Sequence, residues 1–144
     1  MPDNLAARGW RAYAVLLGRI LFAGVFLMGA GFKFAGMGNT AAYIAAAGFP
    51  FSYALAWVAA IFEIGLVFCL LSGACFTEAC LVAAIYVLFL GVVFHGPARW
   101  TANPGDFGYF VDHFTFIAGL LFAAAHGPGP LVVLKRGLLG KPAP

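Results

Sequence analysis

The sequence predicts an all-α membrane protein, a bundle of four transmembrane helices with a short surface helix between the first and second spans. Three observations lead there. Of 144 residues, 64% are hydrophobic and only 9% are charged, whereas a soluble domain typically carries about a quarter charged residues. The apolar residues fall into four runs, each near the roughly 20 that cross a bilayer as a helix. The basic residues gather outside those runs, at the two ends of the chain. A length of 144 residues holds four spans and short connections, so the whole chain, 1–144, reads as a single membrane domain.

The first span is expected over about residues 13–36, from Tyr13 to Gly36. Asn39-Thr40 then has the composition of a helix N-cap and Gly48 that of a C-terminal stop. Between them Ala41 to Ala47 predict the surface helix. Phe49-Pro50 leads into the second span, residues 51–71. The turn Ser72-Gly73-Ala74 is tight, which makes spans two and three antiparallel neighbours. The third span covers 76–94, and its aromatic residues on several sides predict a lipid-facing helix. Gly96 to Asp106 holds two prolines and two glycines and reads as a loop. The fourth span covers 107–125, and Gly127-Pro128-Gly129-Pro130 ends it. The basic, partly apolar tail from Leu131 to Pro144 is expected along the headgroups. Small residues favour helix contact in lipid, and Gly31/Ala35, Ala56/Ala60 and Gly119/Ala123 provide such patches.

Orientation follows from the basic residues near the span ends. Arg8, Arg11, Lys135, Arg136 and Lys141 lie on the side of the termini, against Arg99 and the bordering Lys33 on the other. Both termini are therefore expected in the cytoplasm, with the protein in a bacterial inner membrane. The net charge of +3 comes from this flanking pattern, and no nucleic-acid partner is implied.

Arg19, Lys33, Glu63 and Asp112 fall within or at the edge of spans. Such a residue costs about 2.5–3.5 kcal/mol near a helix centre and normally faces the bundle interior with a partner. At a rise of about 1.5 Å per residue, Arg19 and Glu63 lie about 9 and 12 Å from the cytoplasmic ends of their spans. They are expected to form an intramembrane ion pair. Lys33, His95, Asp112 and His113 are expected to converge near the outer surface as a polar ligand pocket. Asp112, Gly119 and His126, spaced by sevens, share a face expected to look inward. No metal centre is expected, because the histidines and carboxylates lack close ligand spacing. Cys69, Cys75 and Cys80 read as small apolar residues on the reducing side.

With these residues in place the chain resembles the DoxX family of small bacterial membrane proteins, over about residues 13–126. The resemblance rests on Leu17-Gly-Arg19-Ile-Leu-Phe-Ala-Gly24, on Gly29-Ala-Gly-Phe-Lys33-Phe, on Ala42-Tyr-Ile-Ala-Ala-Ala-Gly48-Phe-Pro50, and on Ala60-Ile-Phe-Glu63-Ile-Gly65. Family members often carry a histidine-glycine pair shortly before the lysine; here Gly29-Ala30-Gly31 stands in its place. The resemblance implies a link to membrane redox chemistry, since some relatives look like subunits of a thiosulfate:quinone oxidoreductase.

Three functions are open at this point. The first is a non-catalytic accessory or assembly subunit of a larger, redox-linked membrane complex, or a homo-oligomer, in contact with lipid. The second is a quinone-interacting oxidoreductase subunit. The third is a small proton-coupled transporter built around Glu63. No motif for flavin, haem or an iron–sulfur cluster is present, so no intrinsic cofactor is expected and quinone is the candidate ligand. A four-helix diheme cytochrome would need four inward histidines, and the chain has three. Small multidrug carriers place a glutamate in the first span, where this chain has Arg19.

Overall fold

The computed structural model describes residues 3–134 and residue 139, with the backbone alone for residues 3–8. The described residues form five α-helices and one short 3-10 turn: α1 (Asp3–Ala35), α2 (Met37–Ala46), α3 (Ser52–Ser72), α4 (Phe76–His95), the turn Pro97–Arg99, and α5 (Gly105–His126). α1, α3, α4 and α5 are each long and apolar enough to cross a membrane. Among the basic residues used for orientation, Lys135, Arg136, Lys141 and the side chain of Arg8 lie outside the described residues. The bundle has two faces. α1 begins and α5 ends at the terminal face; α2 and the α4–α5 connection lie at the opposite face.

At 33 residues, α1 is about 50 Å long, well beyond the roughly 30 Å of a hydrocarbon core. Its excess length projects at the terminal face. The helix stops at Gly36, whose N–H bonds back to Phe32 O and Lys33 O. α2 restarts at once, with Thr40 N bonded to Gly36 O. Asn39 and Thr40 therefore lie inside α2 and do not cap it, and the Thr40 hydroxyl donates to Gly36 O at 3.3 Å. The stop is at Gly48, whose φ of +88° lies in the left-handed region. α2 packs Met37, Ala41 and Ile44 onto Ala56 and Ala60 of α3. Alanine at both α3 positions lets the two backbones approach.

The α3–α4 turn is held locally. Gly73 takes φ +71°, the Ser72 hydroxyl donates to Phe68 O at 2.7 Å, and Ala74 N donates to Ser72 Oγ at 3.2 Å. Across it α4 runs back through the interior. Phe76, Ala79, Cys80, Ala83, Ala84, Val87, Gly91 and Phe94 are all buried. This corrects the expectation that the third span faces lipid, since α4 has the most buried span window of the four. Its aromatic residues are spread around the helix, but its alanines, cysteine and glycine form one inward stripe.

α5 packs chiefly along α4 through Leu120 and Ala124. It reaches α1 through Phe116, whose ring lies edge-on to Phe22 and Phe26 at 5.0 and 5.6 Å. At Gly119 a Cβ would stand 2.9 Å from Phe22 Cζ, so with any other residue the ring would have to shift. Asp112 and His126 are exposed, which corrects the inward heptad face expected for them. Gly31 and Ala35 are exposed as well and do not form a helix contact.

Candidate functional site

Arg19 is 1% exposed and does not pair with Glu63. Its guanidinium donates to five backbone carbonyls. Nε bonds Leu70 O at 2.9 Å, and Nη2 bonds Leu71 O at 2.6 Å and Val132 O at 2.8 Å. Nη1 bonds Pro128 O at 3.0 Å and Leu131 O at 2.6 Å. An arginine has five N–H donors, and every one is used. Leu70 and Leu71 lie in the last turn of α3, where helix carbonyls have no intrahelical partner and the dipole favours a cation. The other three carbonyls belong to the segment after α5, which Leu134 N→Ser72 O (2.9 Å) also ties to α3. Arg19 misses Glu63 because it reaches the end of α3, some eight residues or about 12 Å from Glu63 along that helix. Arg19 is a structural clamp at the terminal face.

Glu63 is bonded from above. The Lys33 ammonium reaches both carboxylate oxygens, at 2.7 and 2.8 Å, and donates to Gly29 O at 3.4 Å. A helical side chain leans toward its own N-terminus, so Lys33 brings its charge down a turn to the level of Gly29. Glycine leaves room there, since a Cβ would lie 3.0 Å from Glu63 Oε2. Tyr86 of α4 completes the cluster, its hydroxyl donating to Glu63 Oε1 at 2.8 Å. Lys33, Glu63 and Tyr86 thus join three helices in one polar knot.

A second polar cluster stands at the α4–α5 connection. His95 Nδ1 lies 2.8 Å from Asp106 Oδ1, and Arg99 Nε donates to Asp106 Oδ2 at 3.3 Å. Asp106 is buried in the first turn of α5, where a helix N-terminus favours an acid. Trp100 Nε1 donates to His95 O at 2.9 Å. His113 of α5 directs Nδ1 to Tyr109 O at 2.6 Å, and its ring centroid is 5.2 Å from that of His95. The close approach uses Gly91, where a Cβ would meet His113 Cβ at 3.0 Å.

Between the two clusters lies a cavity of about 740 Å3. Lys33 and Tyr86 stand at one pole, His95 and His113 at the other, and aromatic rings such as Tyr43, Phe49, Phe62, Phe89 and Phe94 form the walls. Tyr43 stacks on Phe94 at 5.0 Å, and Arg99 Cζ lies 5.8 Å from the Tyr43 ring centre. A volume of this order and a mostly apolar lining with few polar groups suit a small organic ligand. Of the residues expected to converge, Lys33, His95 and His113 line the cavity. Asp112 does not; one position along α5 from His113, it is exposed, and the carboxylate that meets Lys33 is that of Glu63.

Tyr86 and Asp106 are the site residues that sequence reasoning missed. Tyr86 left a signal. It lies nine residues from the end of α4, and Glu63 eleven from the start of α3, which puts both at one depth, where a phenol needs a partner. Asp106 stood at a predicted loop boundary that the structure assigns to α5.

The family model described as DoxX matches residues 14–96, which include Arg19, Lys33, Glu63, Tyr86 and His95 but neither Asp106 nor His113. No curated protein and no solved structure matches the chain.

Proposed function

The chain belongs to the DoxX family, and on that premise we propose that it is an accessory subunit of a larger, redox-linked bacterial inner-membrane complex that holds a quinone-class lipid for its partner. The observation that carries this reading is the aromatic cavity with a Lys33–Glu63–Tyr86 knot at one pole and two histidines at the other. Rings of Phe and Tyr stack well on a flat ring. The polar poles offer anchoring points for ring oxygens, and the apolar exterior of the bundle gives an isoprenoid tail a place in the membrane. With both termini in the cytoplasm, the cavity opens in the outer half of the bilayer.

The test is a purification. Protein extracted in mild detergent is examined by native mass spectrometry, and bound lipid is analysed by organic extraction. A quinone-class lipid near one per chain is expected, together with a membrane-protein partner, and Phe89→Ala with Phe62→Ala should lower the bound quinone several-fold at equal protein yield. Protein that carries none, and whose melting does not respond to added decylubiquinone or decylubiquinol, overturns the reading.

A further inference from the structure

The hydrogen-bond capacity left over at the histidine pole of the cavity is one-sided. Lysine carries three donors and no acceptor; two of those of Lys33 go to Glu63 and one to Gly29 O. The Tyr86 hydroxyl is spent on Glu63 and that of Thr40 on Gly36 O. The histidines are fixed in the same sense. His95 Nδ1 faces the Asp106 carboxylate and His113 Nδ1 faces the Tyr109 carbonyl. An ionised carboxylate and a carbonyl can only accept, so each Nδ1 bears the hydrogen, and in a neutral ring Nε2 is then left as an acceptor. Both rings line the cavity. With neutral rings, what the histidine pole offers an occupant is therefore acceptors, two imidazole nitrogens; the oxygens of Tyr86 and Thr40 add two more, and the Tyr43 hydroxyl can both donate and accept. Asn39, which carries both kinds of group, is the one lining amide.

A quinone presents two carbonyl oxygens and needs donors; its reduced form presents two hydroxyls and supplies them. Resting on the reading above, we infer that the cavity selects the reduced, dihydroxy form of its lipid, a para-hydroquinone, over the quinone. A buried acceptor left without a donor costs its desolvation, so the oxidised ring is penalised at the histidine pole while the hydroquinone is bound there.

Three ligands with one ring and one tail test this on the unaltered protein: decylubiquinol, decylubiquinone, and the dimethyl ether of the quinol, in which methyl groups replace both hydroxyl hydrogens. Binding is measured by anaerobic titration calorimetry in nanodiscs. The quinol should bind about tenfold or more tightly than either of the others. His113→Phe, checked for unchanged yield and elution, should narrow that gap. Quinone binding as tightly as quinol, or an ether as good as the quinol, overturns the selection while leaving the proposed function standing. Failure of all three to bind overturns the proposed function and this inference with it.

Discussion

The Lys33 ammonium sits astride the Glu63 carboxylate, 2.7 Å from one oxygen and 2.8 Å from the other, and joins α1 to α3 where Glu63 is 3% exposed. Removing one member of such a pair strands the other. Lys33→Ala should destabilise the protein by about 3–5 kcal/mol, read as a lower melting temperature in detergent. Lys33→Met combined with Glu63→Gln should recover much of the loss, because no unpaired charge remains. A double variant as unstable as Lys33→Ala would show that the pair itself, and not the stranded carboxylate, sets the cost.

Arg19 should tolerate no replacement fully. Arg19→Leu strips the donors from five carbonyls and should cost about 3 kcal/mol or more. Arg19→Lys keeps the charge but has three donors on a point-like head, so it should restore only part of the melting temperature. Since Glu63 is not the partner of Arg19, Glu63→Gln added to Arg19→Leu should give no rescue. Recovery in that double variant would return the two residues to a shared interaction.

Gly91→Ala places a methyl 3.0 Å from His113 Cβ. Both atoms sit on helix backbones, so α4 and α5 must part slightly. We expect a loss of about 1–3 kcal/mol and weaker binding in the cavity, measured on one preparation by thermal melting and by ligand titration. Gly65→Ala, where a Cβ meets nothing within 4 Å, is the matched control and should melt like the unaltered protein.

Topology can be checked without function. A reporter fused after Pro144 is expected to be cytoplasmic, and one inserted at Thr101, in the exposed stretch between α4 and α5, periplasmic. Reversed reporter signals would put the cavity in the inner half of the bilayer.

The spans were legible because burial in lipid leaves a length and a composition. Residues 51–71 and 76–94 agree with α3 and α4 to within one residue at each end. The surface helix was legible in existence but not at its start, because Gly36 breaks the backbone without a capping side chain. Partnerships between charges were less legible. Depth counted along each span placed Arg19 beside Glu63, but a guanidinium can be satisfied by carbonyls alone, and carbonyls are not written in side chains. Lys33 was grouped with Asp112 because its headgroup was placed at its own Cα level, whereas it leans back a turn to Glu63. His95 and His113 were brought to one place by counting from helix ends, which is robust for residues near a connection.

The Arg19 clamp also sets an order of events. Arg19 leaves the ribosome 109 to 113 residues ahead of three of its five acceptors, on Pro128, Leu131 and Val132. During biogenesis the first helix must wait beside the insertion machinery or in the headgroups with its guanidinium only partly occupied. Arrival of the segment after α5 closes the account. Chains that terminate early, even those with all four spans inserted, carry an open cation into the bilayer, and that distinguishes a finished product from an unfinished one before any ligand arrives.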